Sequence, residues 1–217
     1  MKIHEVFERK VNELKADENV KGIFITGSLA RGTETEYSDL DIIVISDKDE
    51  VVEEVIEGVP VETHYNRVES VKKWFVASPP SCYLYTYGKI VWDKEGVLSE
   101  LQDLACDLLD KYEVLDVHKV YLSHKLSALK EKLTASIALN DSQKISYLIH
   151  NNFKIIVESI YAVNSLPVPP QGLNYEIYGT LKQVPSKEWL KLLITLQGLE
   201  LAEYVMGIIE FCKNLLV

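Results

Sequence analysis

Residues 27–41 read GSLARGTETEYSDLD, and the apolar run IIVI follows directly at 42–45. The stretch places two aspartates, Asp39 and Asp41, two residues apart at the entrance to a run that reads as a buried strand. Residues i and i+2 of a strand point to the same face, so both carboxylates aim together. Like charges a few ångströms apart repel, and a buried unpaired charge is costly. A divalent cation resolves the conflict. Mg²⁺ suits it best, because that ion takes carboxylate oxygens and keeps positions for water and phosphate oxygens. Upstream, Gly27 and Ser28 sit where the apolar run GIFI, at 22–25, gives way to a short helical segment. Glycine permits a tight backbone there, and the hydroxyl with neighbouring N–H groups suits a phosphate. One element therefore reads as a metal grip and the other as a phosphate grip.

Working outward, Ile3, Phe7, Val11 and Leu14 recur at helical spacing, so residues 3–15 read as an amphipathic helix rather than a secretory leader. GIFI and LDIIVI, at 40–45, read as strands. SDKDEVVEEVIEG reads as a cap followed by a short helix closed by Gly58. VPVETHYN, at 59–66, alternates and reads as a two-faced strand. VESVKKWFV reads as a helix, CYLYTYGKIVW at 82–92 as a strand or hairpin, and residues 97–112 as a helix. From Leu115 onward the pattern is helical. Leu115, Leu122, Leu126, Leu129, Leu133 and Ile137 mark one long helix, and Ile145 through Ile160 mark a second. A proline-rich loop, SLPVPPQG, precedes two more helices over roughly 174–183 and 186–216. The expected fold class is α+β: a small mixed β-sheet domain with flanking helices over residues 1–112, then an all-α helical bundle over 113–217.

The chain has 217 residues and a formal net charge of −10. Residues 1–112 hold 13 Lys and Arg against 23 Asp and Glu, whereas residues 113–217 hold ten of each. No arginine follows Arg67 and there is no basic run, so nucleic acid is not an expected partner. No run approaches the roughly 18 apolar residues that a membrane span needs, and none is expected. Cys82, Cys106 and Cys212 are odd in number and scattered, as expected of free thiols in a reducing, cytoplasmic setting.

The segment GSLARGTETEYSDLD resembles the signature of the DNA polymerase β-like nucleotidyltransferase superfamily: G-S, about ten residues, then D-x-D. It is most similar to the branch of minimal nucleotidyltransferases and aminoglycoside and lincosamide adenylyltransferases. The resemblance is firm over about residues 20–66, and GKIVWDKEG is similar to a later strand and turn of that branch. It implies Mg²⁺-dependent transfer of a nucleoside monophosphate, with two ions and ATP or another NTP as donor, and release of pyrophosphate. On matching positions, Gly27 and Ser28 would hold the β- and γ-phosphates, and Asp39 and Asp41 would ligate the metals. The family's third carboxylate falls on Glu62, mid-strand in VPVETHYN, as metal ligand or general base. Asp47 and Asp49 compete for that role but lie beyond the strand.

Other residues carry open alternatives. Arg31 suits either phosphate or a salt bridge to Glu34 or Glu36. His64 shares the face of Glu62 and either lines the site or is half exposed. His118, Tyr121 and Lys125 lie along one edge of the first long helix, which either brings Lys125 to the triphosphate or is a solvated flank. Asn152 reads as a satisfied core residue, and Trp74, Trp92 and Trp189 as core. The leading expectation is an enzyme that nucleotidylylates a hydroxyl of a small-molecule acceptor bound against the helical half, possible homodimerisation left open. The rivals are a protein-modifying nucleotidyltransferase of toxin–antitoxin type and a non-catalytic nucleotide-binding module. A fused nuclease with an R-x(4–6)-H motif is excluded, since no arginine follows Arg67.

Overall fold

Five strands build one mixed sheet: β1 (Gly22–Ile25), β2 (Leu40–Ile45), β3 (Glu50–Ile56), β4 (Val59–Asn66) and β5 (Lys89–Asp93). Their order is β3-β4-β2-β1-β5, with β2 and β4 parallel and every other pair antiparallel. The computed structural model describes residues 2–216. The chain divides into two units, one ending at Lys111 and the other beginning at Tyr112.

In the first unit, helices cover both faces of the sheet. Helix α1 (Lys2–Lys15) buries Ile3, Val6, Val11 and Leu14 against Ile23, Ile25, Leu40, Ile42, Val44 and Val61. The short α2 (Gly27–Arg31) adds Leu29 and Ala30 to that cluster. Strand alternation sends the intervening residues to the opposite face. There Phe24 stacks on Tyr85 of α4 (Cys82–Tyr87), with ring centroids 5.1 Å apart. Tyr85 also meets Phe75 of α3 (Val68–Ala77) edge-on at 4.9 Å. Leu98 of α5 (Val97–Asp110) closes on Gly22. Asp93, the last residue of β5, accepts bonds from the Leu98 and Ser99 backbone N–H groups and from the Ser99 hydroxyl. These serve helix N–H groups that otherwise lack partners. Asp93→Ala is expected to cost about 1 kcal/mol, seen as a lower urea midpoint at unchanged slope.

Three sequence expectations are corrected in this unit. The segment around 50–57 is a strand, not a helix. Its three valines and Ile56 suit either period, but pairing with β4 decides, and Glu57 (φ 52) with Gly58 (φ 84) forms the two-residue turn between them. The start of 82–92 is helix α4, with a strand only from Lys89, because Tyr85 is buried into the Phe24 and Phe75 rings. Trp74 is 43% exposed, on the outer side of α3, and is not core.

The second unit is helical throughout its described residues. It comprises α6 (Asp116–Ala138), α7 (Ser142–Val163), α8 (Gln171–Ile177), α9 (Trp189–Thr195) and α10 (Gly198–Leu215). Leu122, Leu126, Leu129 and Leu133 of α6 pack with Ile145, Ile149, Ile156 and Ile160 of α7 and with Val205, Ile209 and Cys212 of α10. Asp141 caps α7 by accepting from the Lys144 N–H. Trp189 is fully buried, edge-on to Tyr178. Leu115, expected in the leucine stripe, precedes the helix and is exposed. The helix expected over 174–183 ends at Ile177, followed by a 3₁₀ turn through Thr180. The one expected over 186–216 is two helices, broken before Gly198, whose φ is +55. Among the described residues no helix is long and apolar enough to cross a membrane.

Candidate active site

The parallel pairing of β2 with β4 sets Asp41 directly beside Glu62, and the antiparallel pairing of β3 sets Glu53 beside Glu62 in turn. Residues opposite one another in a ladder share a face. Three carboxylates thus form a row across three strands, on the face away from α1. Asp39, two residues before Asp41, stands just outside the strand on the same side. A shallow cleft at this end of the sheet is lined by Asp39, Glu53 and Glu62 together with Val55 and Pro60. Glu53 is the member that the sequence reading missed. Its signal was the alternation Val52, Glu54, Ile56 against Val51, Glu53, Val55, which shows only once the segment is taken as a strand.

The row ends against the turn that follows β1. Gly27 has φ +65, and a β-carbon there would fall 2.2 Å from Asp41 Oδ2. The Thr26 N–H donates to the Asp41 carbonyl at 3.2 Å, which ties the turn to β2. Only glycine allows both the left-handed backbone and this approach. The Ser28 hydroxyl is buried without a hydrogen-bond partner. A buried hydroxyl left this way carries a free-energy cost unless a ligand or water engages it.

Burial pushes the Asp41 carboxyl above its ordinary value, and the neighbouring charges of Asp39 and Glu62 push it further. His64 and Arg31 pull in the other direction. His64, registered against Ile43, two residues on from Asp41 in β2, meets Glu62 with Nε2 2.6 Å from Oε1. Glu34 pairs with His4 at 3.0 Å. Asp49 accepts from the Arg67 N–H and the Ser70 hydroxyl, both at 2.9 Å, at the start of α3. Lys125 lies in the second unit, exposed on α6, with its ammonium 5.4 Å from the centre of the Tyr121 ring. Tyr121 in turn stacks on His118. The Asn152 side chain donates to the Leu148 carbonyl at 2.7 Å and is satisfied within α7.

Among the described residues no three His, Cys, Asp or Glu side chains stand close enough to form a ready-made metal cage. The donor set nevertheless fits a hard cation. Asp39, Asp41 and Glu62 supply anionic oxygen on one face, Asp39 and Glu62 both push the Asp41 pKa up, and the Ser28 hydroxyl alongside is buried without a partner. Mg²⁺ needs few protein ligands when phosphate and water complete its shell.

The family model described as "Nucleotidyltransferase domain" matches residues 7–133 of the chain, from α1 into α6. Among solved structures, the nucleotidyltransferase-like protein from Exiguobacterium sibiricum 255-15 is similar, with a TM-score of 0.45 and 14% identity. That match covers 99% of this chain and 74% of the other. No curated protein matches the chain.

Proposed function

Because the chain belongs to the nucleotidyltransferase domain family, we propose that it transfers AMP from ATP to a hydroxyl of a small-molecule acceptor and releases pyrophosphate. The observation that carries this reading is the register of Asp41 against Glu62, with Asp39 beside them and the Gly27–Ser28 turn at the end of the row. In it, Asp39, Asp41 and Glu62 hold Mg²⁺, two ions in the full site. Gly27 and the unpartnered Ser28 hydroxyl engage the β- and γ-phosphates, and Arg31, close enough to act on Asp41, adds positive charge on that side. Bound Mg²⁺ offsets triphosphate charge and makes the acceptor oxygen a better nucleophile. The protein positions the acceptor hydroxyl in line with the bond that breaks, and Glu62 takes its proton or fixes the ion beside it. The acceptor is assigned to the helical residues 113–217, in a protein of the cytoplasm.

The decisive experiment follows pyrophosphate release from labelled ATP with Mg²⁺ against aminoglycosides, lincosamides, nucleosides and cell proteins. Label on a small molecule is expected. Label only on protein would replace this reading with the protein-modifying one, and Mg²⁺-dependent ATP binding without release would favour a binding module. Glu62→Gln is expected to leave ATP affinity within a few-fold while lowering turnover by roughly 10²-fold. Near-normal turnover of that variant would move the role to another carboxylate, with Glu53 next in the row.

A further inference from the structure

We propose that His64 is a positioning residue, whose ring fixes the Glu62 carboxylate in the orientation from which it ligates a divalent cation. The proposal rests on the reading of Glu62 as a metal ligand. Its starting point is geometric: Nε2 of His64 lies 2.6 Å from Oε1 of Glu62, and the two residues are spaced i and i+2 on one face of β4. Both side chains are about 40% exposed, so neither is held by packing alone. A half-exposed glutamate samples many rotamers, and ordering such a side chain carries an entropic cost. The pair with His64 meets that cost before any ligand arrives. A carboxylate has lone pairs on both oxygens, so contact through Oε1 leaves Oε2 for a cation.

The contrast with the rest of the acidic row sharpens the assignment. Asp41 is held by its own strand, by burial and by the Gly27 turn, and needs no second residue to orient it. Glu62 has a longer side chain and sits further toward the exposed edge of the sheet. His64 is registered to Ile43 and Val51 on the neighbouring strands, so its ring has a fixed base from which to reach Glu62. Groups that hold a ligand side chain in this way typically change metal affinity by 10- to 100-fold when removed.

The test uses the full chain and Mn²⁺ as probe, followed by the electron paramagnetic resonance signal of the free ion, with and without a nonhydrolysable ATP analogue. His64→Ala is expected to weaken Mn²⁺ binding by about 10-fold or more at an unchanged Tm. His64→Gln, which keeps an N–H donor near the Nε2 position, is expected to restore most of it. In a Glu62→Gln background, His64→Ala is expected to have no further effect, since the two residues act as one unit. Equal or tighter binding by His64→Ala, or an equal loss in both backgrounds, overturns the proposal while leaving the proposed function standing. Failure of the wild-type chain to bind Mn²⁺ even with the nucleotide present overturns both.

Discussion

Asp41→Asn is expected to lower nucleotidyl transfer by roughly 10³-fold or more, while raising the Tm of the metal-free protein at neutral pH. The first effect follows from removing the anion at the Gly27 end of the row, which also weakens Mg²⁺-dependent ATP binding in calorimetry. The second follows from the surroundings of the same carboxylate. Burial, then Asp39 and Glu62, raise the Asp41 pKa above its ordinary 3.8. A raised value means the fold holds this proton more tightly than the unfolded chain does. Its favourable contribution is present in full below the ordinary value and is lost as pH rises through the raised one. At neutral pH the ionised group is a net cost, and the asparagine does not carry it. The Tm advantage of the variant should therefore shrink as pH falls toward 4, at a scale of about 2–4 °C per kcal/mol for a chain of this size. A variant that is both inactive and less stable than wild type at pH 7 would show that Asp41 is held by something other than repulsion awaiting a cation.

The second large effect concerns Gly27. Gly27→Ala forces a side chain into the left-handed region, which costs about 1–2 kcal/mol, and drives a methyl group against Asp41 Oδ2. Displacing that carboxylate by about an ångström is enough to lose roughly 10²-fold in rate. Gly32 is the matched control. It too is left-handed, at φ +71, but a β-carbon there meets nothing within 4 Å. Gly32→Ala should show the backbone penalty in chemical denaturation and keep turnover within a few-fold. Equal losses of activity in the two variants would mean that strain in the 27–32 segment, and not contact with Asp41, governs the site.

The candidate site was legible as a grouping because its residues are neighbours in sequence or in period. Gly27, Ser28, Asp39 and Asp41 fall within fifteen residues, and two-residue alternation alone puts the aspartates on one face. Glu62 was legible from its place in an alternating strand, although its register against Asp41 is a long-range fact that no local pattern contains. The errors share a cause. In residues 50–57, Val51, Val52, Val55 and Ile56 satisfy both periods, and only the partner strand chooses between them. In residues 82–87, tyrosines with strand propensity form a helix because Phe24 and Phe75 offer Tyr85 a buried aromatic site. The break between α9 and α10 lies in a continuous apolar pattern, where Gly198 was the one available sign. The nucleotidyltransferase family was legible from the same short motif, and the family match over residues 7–133 agrees with it.

The turn at Glu57 and Gly58 makes the carboxylate row a matter of parity. The β3–β4 hairpin delivers β4 to β2 as a parallel neighbour, and Glu62 reaches Asp41 because an even count of positions separates it from the residues that face α1's opposite side. A one-residue slip of β4 against β2 would turn Glu62 inward, toward the cluster that holds Val59 and Val61, and present Val61 or Thr63 to the cleft instead. Changes in hairpin length are therefore not equivalent at this site. Lengthening the turn tip leaves the ladder intact, whereas removing a single residue from the β4 arm exchanges its two faces. Among homologous or designed chains of this architecture, the strand arm on the catalytic side should vary in length by twos, and the tip should vary freely.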